Sequence, residues 1–93
     1  MSAGVTLAER LDLVAARPLA RQISAIGGDL RLDASRVTFL GGLCLQIILA
    51  ASQQCRSRGS DFEIVDASAQ FADAIREFGV DQEKLQGTAR NEP

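Results

Sequence analysis

The sequence predicts an α/β fold built on a mostly parallel sheet. Three observations carry this. Extended and helical segments alternate along the chain, the pattern of parallel strands joined by right-handed crossovers. Two four-residue stretches, Leu30-Arg31-Leu32-Asp33 and Phe62-Glu63-Ile64-Val65, read as strands. The helical segments close on glycines, at Gly27-Gly28, Gly59 and Gly79.

Val5-Thr6-Leu7 opens the chain as a short β-branched strand. Asp12 is a plausible helix-start residue. Val14, Leu19, Ala20, Ile23 and Ile26 roughly follow a 3.6 period, so a helix is expected over about residues 14–26. Pro18 lacks an N–H and belongs in the first turn or at a kink. After the strand at Leu30, Val37-Thr38-Phe39-Leu40 reads as a second extended piece. Gly41-Gly42 then breaks the chain ahead of a helix from Leu43 to about Arg58. Its first residues are almost wholly apolar, which also suits a buried strand. The alanines and the polar second half favour helix. Arg56 and Arg58 suit the negative end of its dipole, and Gly59 the C′ position. Ser68 caps a last helix from Ala69 to Phe78. Phe71, Ile75 and Phe78 recur at i, i+4 and i+7 and share one face. Val80 is placed at C″, within reach of Ile75.

The 93 residues form a single domain, expected over 1–86, with a flexible polar tail at 87–93. The sequence shows no internal repeat. Ten basic residues are scattered rather than clustered, and the net charge is −2, so no nucleic-acid-binding stripe exists. There is no His, which removes the commonest acid/base catalyst and metal ligand. No nucleophile is paired with a base, so no catalytic residue, no metal site and no cofactor are expected. The longest apolar run, 37–51, falls short of the roughly 20 residues that span a bilayer. No basic segment followed by an apolar run opens the chain, so no signal peptide and a cytoplasmic location are expected. On one helix, Cys44 and Cys55 lie about 16 Å apart by helical rise, too far to bridge.

Cys44 follows a glycine turn at a helix start, where a dipole lowers a thiol pKa. Free cysteine is more often simply buried. A thiol-based redox role therefore stands as the minor reading. Gly41-Gly42 lacks the GxxxxGK[ST] pattern of a phosphate loop and reads as a tight turn. Asp33 ends a strand and Asp66 follows one, with turn or capping roles, and the sole lysine, Lys84, lies in the last helical segment. Asp81 and Glu83 read as surface charge. Leu43, Leu45, Ile47, Ile48 and Leu49 point several ways around a helix. Either neighbouring helices bury them all, or some form an exposed apolar patch of the kind that binds partners.

The stretch from Leu30-Arg31-Leu32-Asp33, through Val37-Thr38-Phe39, the helix to Gly59, Phe62-Glu63-Ile64-Val65 and Ser68, to Gly79-Val80, resembles a STAS domain, the fold of bacterial anti-sigma factor antagonists. Leu11-Asp12 and the Pro18-containing helix fit too. The resemblance implies a mixed, mostly parallel sheet of about four strands with helices mainly on one face. It also implies a non-catalytic adaptor that acts by binding a protein. The family loop reads D-S-S-G-L. In register with it, Gly41 stands at the Asp, Gly42 at the first Ser and Leu43 at the second, the usual phosphoacceptor. Cys44 takes the loop Gly and Gln46 a helix Gly. Phosphorylation adds about −1.5 to −2 charge and breaks binding by repulsion, and that switch cannot work at Leu43. A switch moved to Ser35 or Thr38 stays open.

The variant loop is similar to small STAS proteins that accompany chemotaxis histidine kinases. A histidine kinase or anti-sigma-type regulator is thus the implied partner. A STAS subunit docked on a lipid-transport ABC permease is the alternative. The implied contact residues are Leu40, Gly41, Gly42, Leu43, Cys44, Gln46 and Ile47, with Leu43 an apolar anchor and Gln46 a polar contact. An edge strand near Val5 can pair with another chain, though nothing demands it, and the oligomeric state stays open.

Overall fold

A computed structural model describes residues 3–80. The expected boundary at residue 86, the tail at 87–93, and Asp81, Glu83 and Lys84 lie outside the described residues.

Two chain segments alternate cleanly enough to form strands and do so: β3 at Leu30–Asp33 and β5 at Phe62–Val65. With β1 at Ala3–Thr6 they make a three-stranded parallel sheet in the order β1-β3-β5. Register puts Val5, Leu32 and Ile64 side by side on one face, all buried, and Gly4, Arg31 and Glu63 on the other, all exposed. Parallel sheets are usually covered on both faces. Here one face meets water, and Arg31 Nε donates to Glu63 Oε1 across it at 3.2 Å. Both side chains are half exposed, so this pair contributes at most about 1 kcal/mol. The covered face joins the helices in one core, where Phe62, Phe71, Leu32, Ile48 and Ile75 are fully buried.

The parallel α/β architecture expected from the sequence holds, but its strands divide differently. The extended piece expected at 37–40 shortens to β4, Phe39–Leu40. It pairs in parallel with β2, Arg10–Leu11, as a separate two-stranded ribbon. The cause is a turn after β3. The Asp33 carboxylate accepts the Ser35 N–H at 2.9 Å, and the Val37 N–H reaches the Ala34 carbonyl. That turn takes the chain out of the first sheet before it extends again. Leu7 bridges the other side, its N–H still bonded to Asp33 O at 2.9 Å.

The chain therefore traces one path twice. It leaves the main sheet, passes through the ribbon, and enters a helix: α1 at Leu13–Ser24 after β2, and α2 at Gly42–Arg58 after β4. No sequence repeat announces this. α1 runs through Pro18, which sits in the second turn. It stops at Ala25, ahead of Gly27-Gly28, neither of which has a positive φ. α2 buries Cys44, Leu45, Ile48, Ala51, Ser52 and Cys55, one stripe, and ends on Gly59 at φ 76°. The Ser60 N–H closes it onto Cys55 O at 2.8 Å.

α3, Ala69–Glu77, completes the domain. Ser68 Oγ accepts the Phe71 N–H at 3.0 Å and donates its proton to Val37 O at 2.6 Å. One hydroxyl thus caps α3 and ties it to the segment before β4. At the far end the Val80 N–H reaches Ile75 O and the Gly79 N–H reaches Arg76 O, both at 2.9 Å, the expected Schellman closure. Ser68→Ala should therefore lose a cap and a half-buried donor together, lowering unfolding free energy by about 1–2 kcal/mol. Thermal denaturation would read this as a fall of several degrees; an unchanged midpoint would mean that the hydroxyl does not hold α3.

Candidate partner-binding site

The ribbon sets the site. Pairing of Leu11 with Leu40 brings β2 and β4 to the same level, and each then turns at once into a helix. The Gly41 N–H donates to Leu11 O at 2.9 Å. A Cβ on Gly41 would lie 3.2 Å from that same oxygen, so glycine permits the close approach. The N-termini of α1 and α2 consequently lie side by side.

The two starts are built differently. Asp12 Oδ1 accepts from the Val14 and Ala15 N–H groups at 3.1 and 3.2 Å, capping α1. Gly41 holds the equivalent place before α2 and has no side chain to cap with. Neither helix has an acidic residue in its first turn, although the dipole favours one there. Apolar side chains stand in their place. Leu13 is 77% exposed, Val14 84% and Leu43 46%.

Two aromatic rings extend this surface. Phe39 (42% exposed) carries the Arg10 guanidinium 4.9 Å from its ring centroid, and its edge lies 3.4 Å from where a Gly41 Cβ would be. Phe78 (51% exposed) lies over Gly42, 3.7 Å from the corresponding point there. Grooves run between these groups. One joins Leu13, Phe39, Gly42 and Leu43. A second runs along α1 past Arg10, Val14 and Pro18. A third, of about 650 Å³, separates Phe39 and Gly41-Gly42 from α3. The first groove shares Leu11 and Asp12 with the second, and Phe39, Gly41 and Gly42 with the third, so it links them into one strip.

Of the contact residues inferred from sequence, Gly42, Leu43 and Gln46 are exposed, and Gly41 and Ile47 are half-buried. Leu40 and Cys44 are 4% and 0% exposed, so their side chains shape the surface from beneath and do not touch a partner. The apolar excess at the start of α2 is mostly absorbed: Leu45 and Ile48 are buried, and Ile47 and Leu49 pack partly against the core. Leu43 alone of the five remains in water.

Sequence reasoning missed Leu13, Val14, Phe39 and Phe78. The first two carried a usable sign: apolar residues directly after an N-cap, where the buried stripe has not begun. The spacing puts Phe78 on one face with Phe71 and Ile75, but only those two are buried. Phe78 is the C-cap, one step past the last packed turn, and swings out over Gly42.

Other candidates hold no chemistry. Cys44 Sγ donates to Asp12 O at 3.4 Å, and burial first, then the Asp12 charge, pushes its pKa up. Burial also raises Cys55, partly offset by Arg58. Both thiols stay protonated at neutral pH and are poor nucleophiles. The bond from the Ser35 N–H holds the Asp33 carboxyl below its usual range, and Asp66 occupies a turn at φ 53°. Both are turn residues, as expected. No group of three or more metal-binding side chains exists among the described residues. None of the described helices is long and apolar enough to cross a membrane.

Thiol titration checks the reading of the cysteines. At pH 8 a disulfide reagent should modify both thiols at least about tenfold faster in urea than in the folded protein, because folding both buries and protonates them. Fast modification of one thiol in the folded state would return Cys44 to consideration as a reactive group.

No curated protein matches this chain. A family model described as "Mlab, STAS domain" matches residues 2–87, nearly the whole chain. The match covers most of the chain and accords with the parallel α/β fold: the chain belongs to the STAS domain family.

Proposed function

We propose that this protein is a non-catalytic signalling adaptor that docks a regulatory protein through the paired starts of α1 and α2. The partner is of the histidine-kinase type, as in chemotaxis pathways, or of the anti-sigma type. The observation that carries this reading is Leu43. It is half exposed at the second position of an uncapped helix and lines one groove with Leu13 and Phe39, and an exposed apolar patch of this kind marks an interaction surface. A large exposed apolar side chain in the centre of a strip is the form that interface anchors take.

Gly41, Gly42 and Leu43 carry neither hydroxyl nor carboxylate, so docking at this loop is not switched there by phosphate. Binding is constitutive, and regulation falls to the partner. Stoichiometric phosphate on Ser35 or Thr38 after incubation with kinase and ATP would contradict that.

Leu43→Asp separates binding from folding. An acid at the second position of α2 suits the helix dipole, worth about 0.3–1 kcal/mol, and offsets the partly buried leucine. Its melting temperature should therefore stay within a few degrees of wild type. In capture from the native lysate it should lose the partner that wild type retains. Retention of every partner by a folded Leu43→Asp would show the surface to be wrong. A partner recovered only from the membrane fraction would assign the same surface to a transporter subunit instead.

A further inference from the structure

The third groove has a chemistry of its own. One wall is the Phe39 ring with Gly41-Gly42. The other is α3, which presents Gln70, Asp73 and Glu77 at the spacing of a single helix face. Phe78 closes the end. None of the lining residues is basic. Asp73 is bonded to Arg76, whereas Glu77 makes no ion pair among the described residues. Two exposed aromatic rings therefore share a groove with one carboxylate, Glu77, that has no ion pair among the described residues.

That combination selects positive charge. Ring faces attract guanidinium and ammonium groups through the quadrupole, and carboxylates add hydrogen-bond acceptors in bidentate geometry. Arg10 already shows what Phe39 attracts, since it stacks over that ring from the α1 side. At the α3 wall an anionic occupant would meet Glu77 and be repelled, whereas the opposite wall, the uncapped start of α2 at Gly41-Gly42, is the part of the groove that favours negative charge. At the α1 end Arg10 is paired with Asp12 at 3.7 Å, and at the α3 end Asp73 is paired with Arg76, which leaves Glu77 as the carboxylate of the strip with no ion pair among the described residues.

We infer that the groove receives an arginine side chain of the docked protein, held between Phe39 and Phe78 and paired with Glu77. The inference rests on the docking reading above and adds polarity to it. The partner segment places apolar residues against Leu13 and Leu43 and its arginine toward α3. Arginine fits better than lysine, because a planar guanidinium stacks and forks at once.

The test uses isotope-labelled protein and amide chemical shifts. Titration with N-acetyl-arginine amide should give saturable shifts at residues 38–42 and 70–78. N-acetyl-glutamine amide should bind at least tenfold more weakly. Glu77→Lys, an exposed site whose change should leave the fold intact, should weaken the arginine probe at least tenfold. It should weaken capture of the partner as well. Equal shifts from the glutamine probe, or an unchanged response in Glu77→Lys, would overturn the inference. Preference for tetramethylammonium over the arginine probe would overturn it too, pointing to a small quaternary ligand. If Glu77→Lys keeps the partner while Leu43→Asp loses it, this inference fails and the docking reading stands.

Discussion

The short parallel pairing of Leu11 with Leu40 is the constraint on which the rest of the site depends. Only two residues pair on each side, yet their register decides where both helices begin. Because the strands run the same way and end level, α1 and α2 start together and present their first turns to the same solvent. The bond from Gly41 N–H to Leu11 O sets the spacing, and the glycine makes that spacing attainable. Ser68 then binds α3 to the segment entering β4, which brings Phe78 over Gly42. Every exposed apolar residue of the strip follows from these few contacts.

The electrostatics of that end explain its composition. Two adjacent helix N-termini make a positive region, and acids in their first turns would stabilise it. Asp12 supplies the single side-chain cap, on α1, and α2 has none. Placing Leu13, Val14 and Leu43 there forgoes that stabilisation and exposes hydrocarbon. A chain shaped for stability alone would not combine both choices, whereas a surface that is covered in use would. Under the docking proposal, the absence of hydroxyls at Gly41, Gly42 and Leu43 belongs to the same pattern, since a phosphate at this end would bring charge into an apolar contact.

How much of this was legible in the sequence depended on the length of each pattern. β3 and β5 were placed to the residue, because four residues of inward and outward alternation identify a half-covered strand. α2 and α3 were nearly as clear, because Gly59, Ser68 and Gly79 mark their ends chemically. The ribbon was not legible as such: two residues have no period, and Leu11 and Leu40 resemble any other buried leucines. Gly27-Gly28 misled about the end of α1, since the helix had already closed by an ordinary bond from Ala25 N–H to Arg21 O. Within the proposed site, Gly42 and Leu43 were named through the family loop, and both are exposed. Leu40 and Cys44 came with them only by adjacency. Phe39 and Phe78 escaped because an aromatic residue at core spacing reads as core until packing shows which way it turns.

The central claim is that the start of α2 trades stability for docking. Gly42→Asp measures that trade directly. Its Cβ meets only the Phe78 ring, at ordinary contact distance, and its carboxylate stands at an uncapped helix start. Chemical denaturation should show the variant to be about 0.3–1 kcal/mol more stable than wild type, while affinity for the captured partner falls at least tenfold. A variant that gains stability and binds as wild type does would contradict the account.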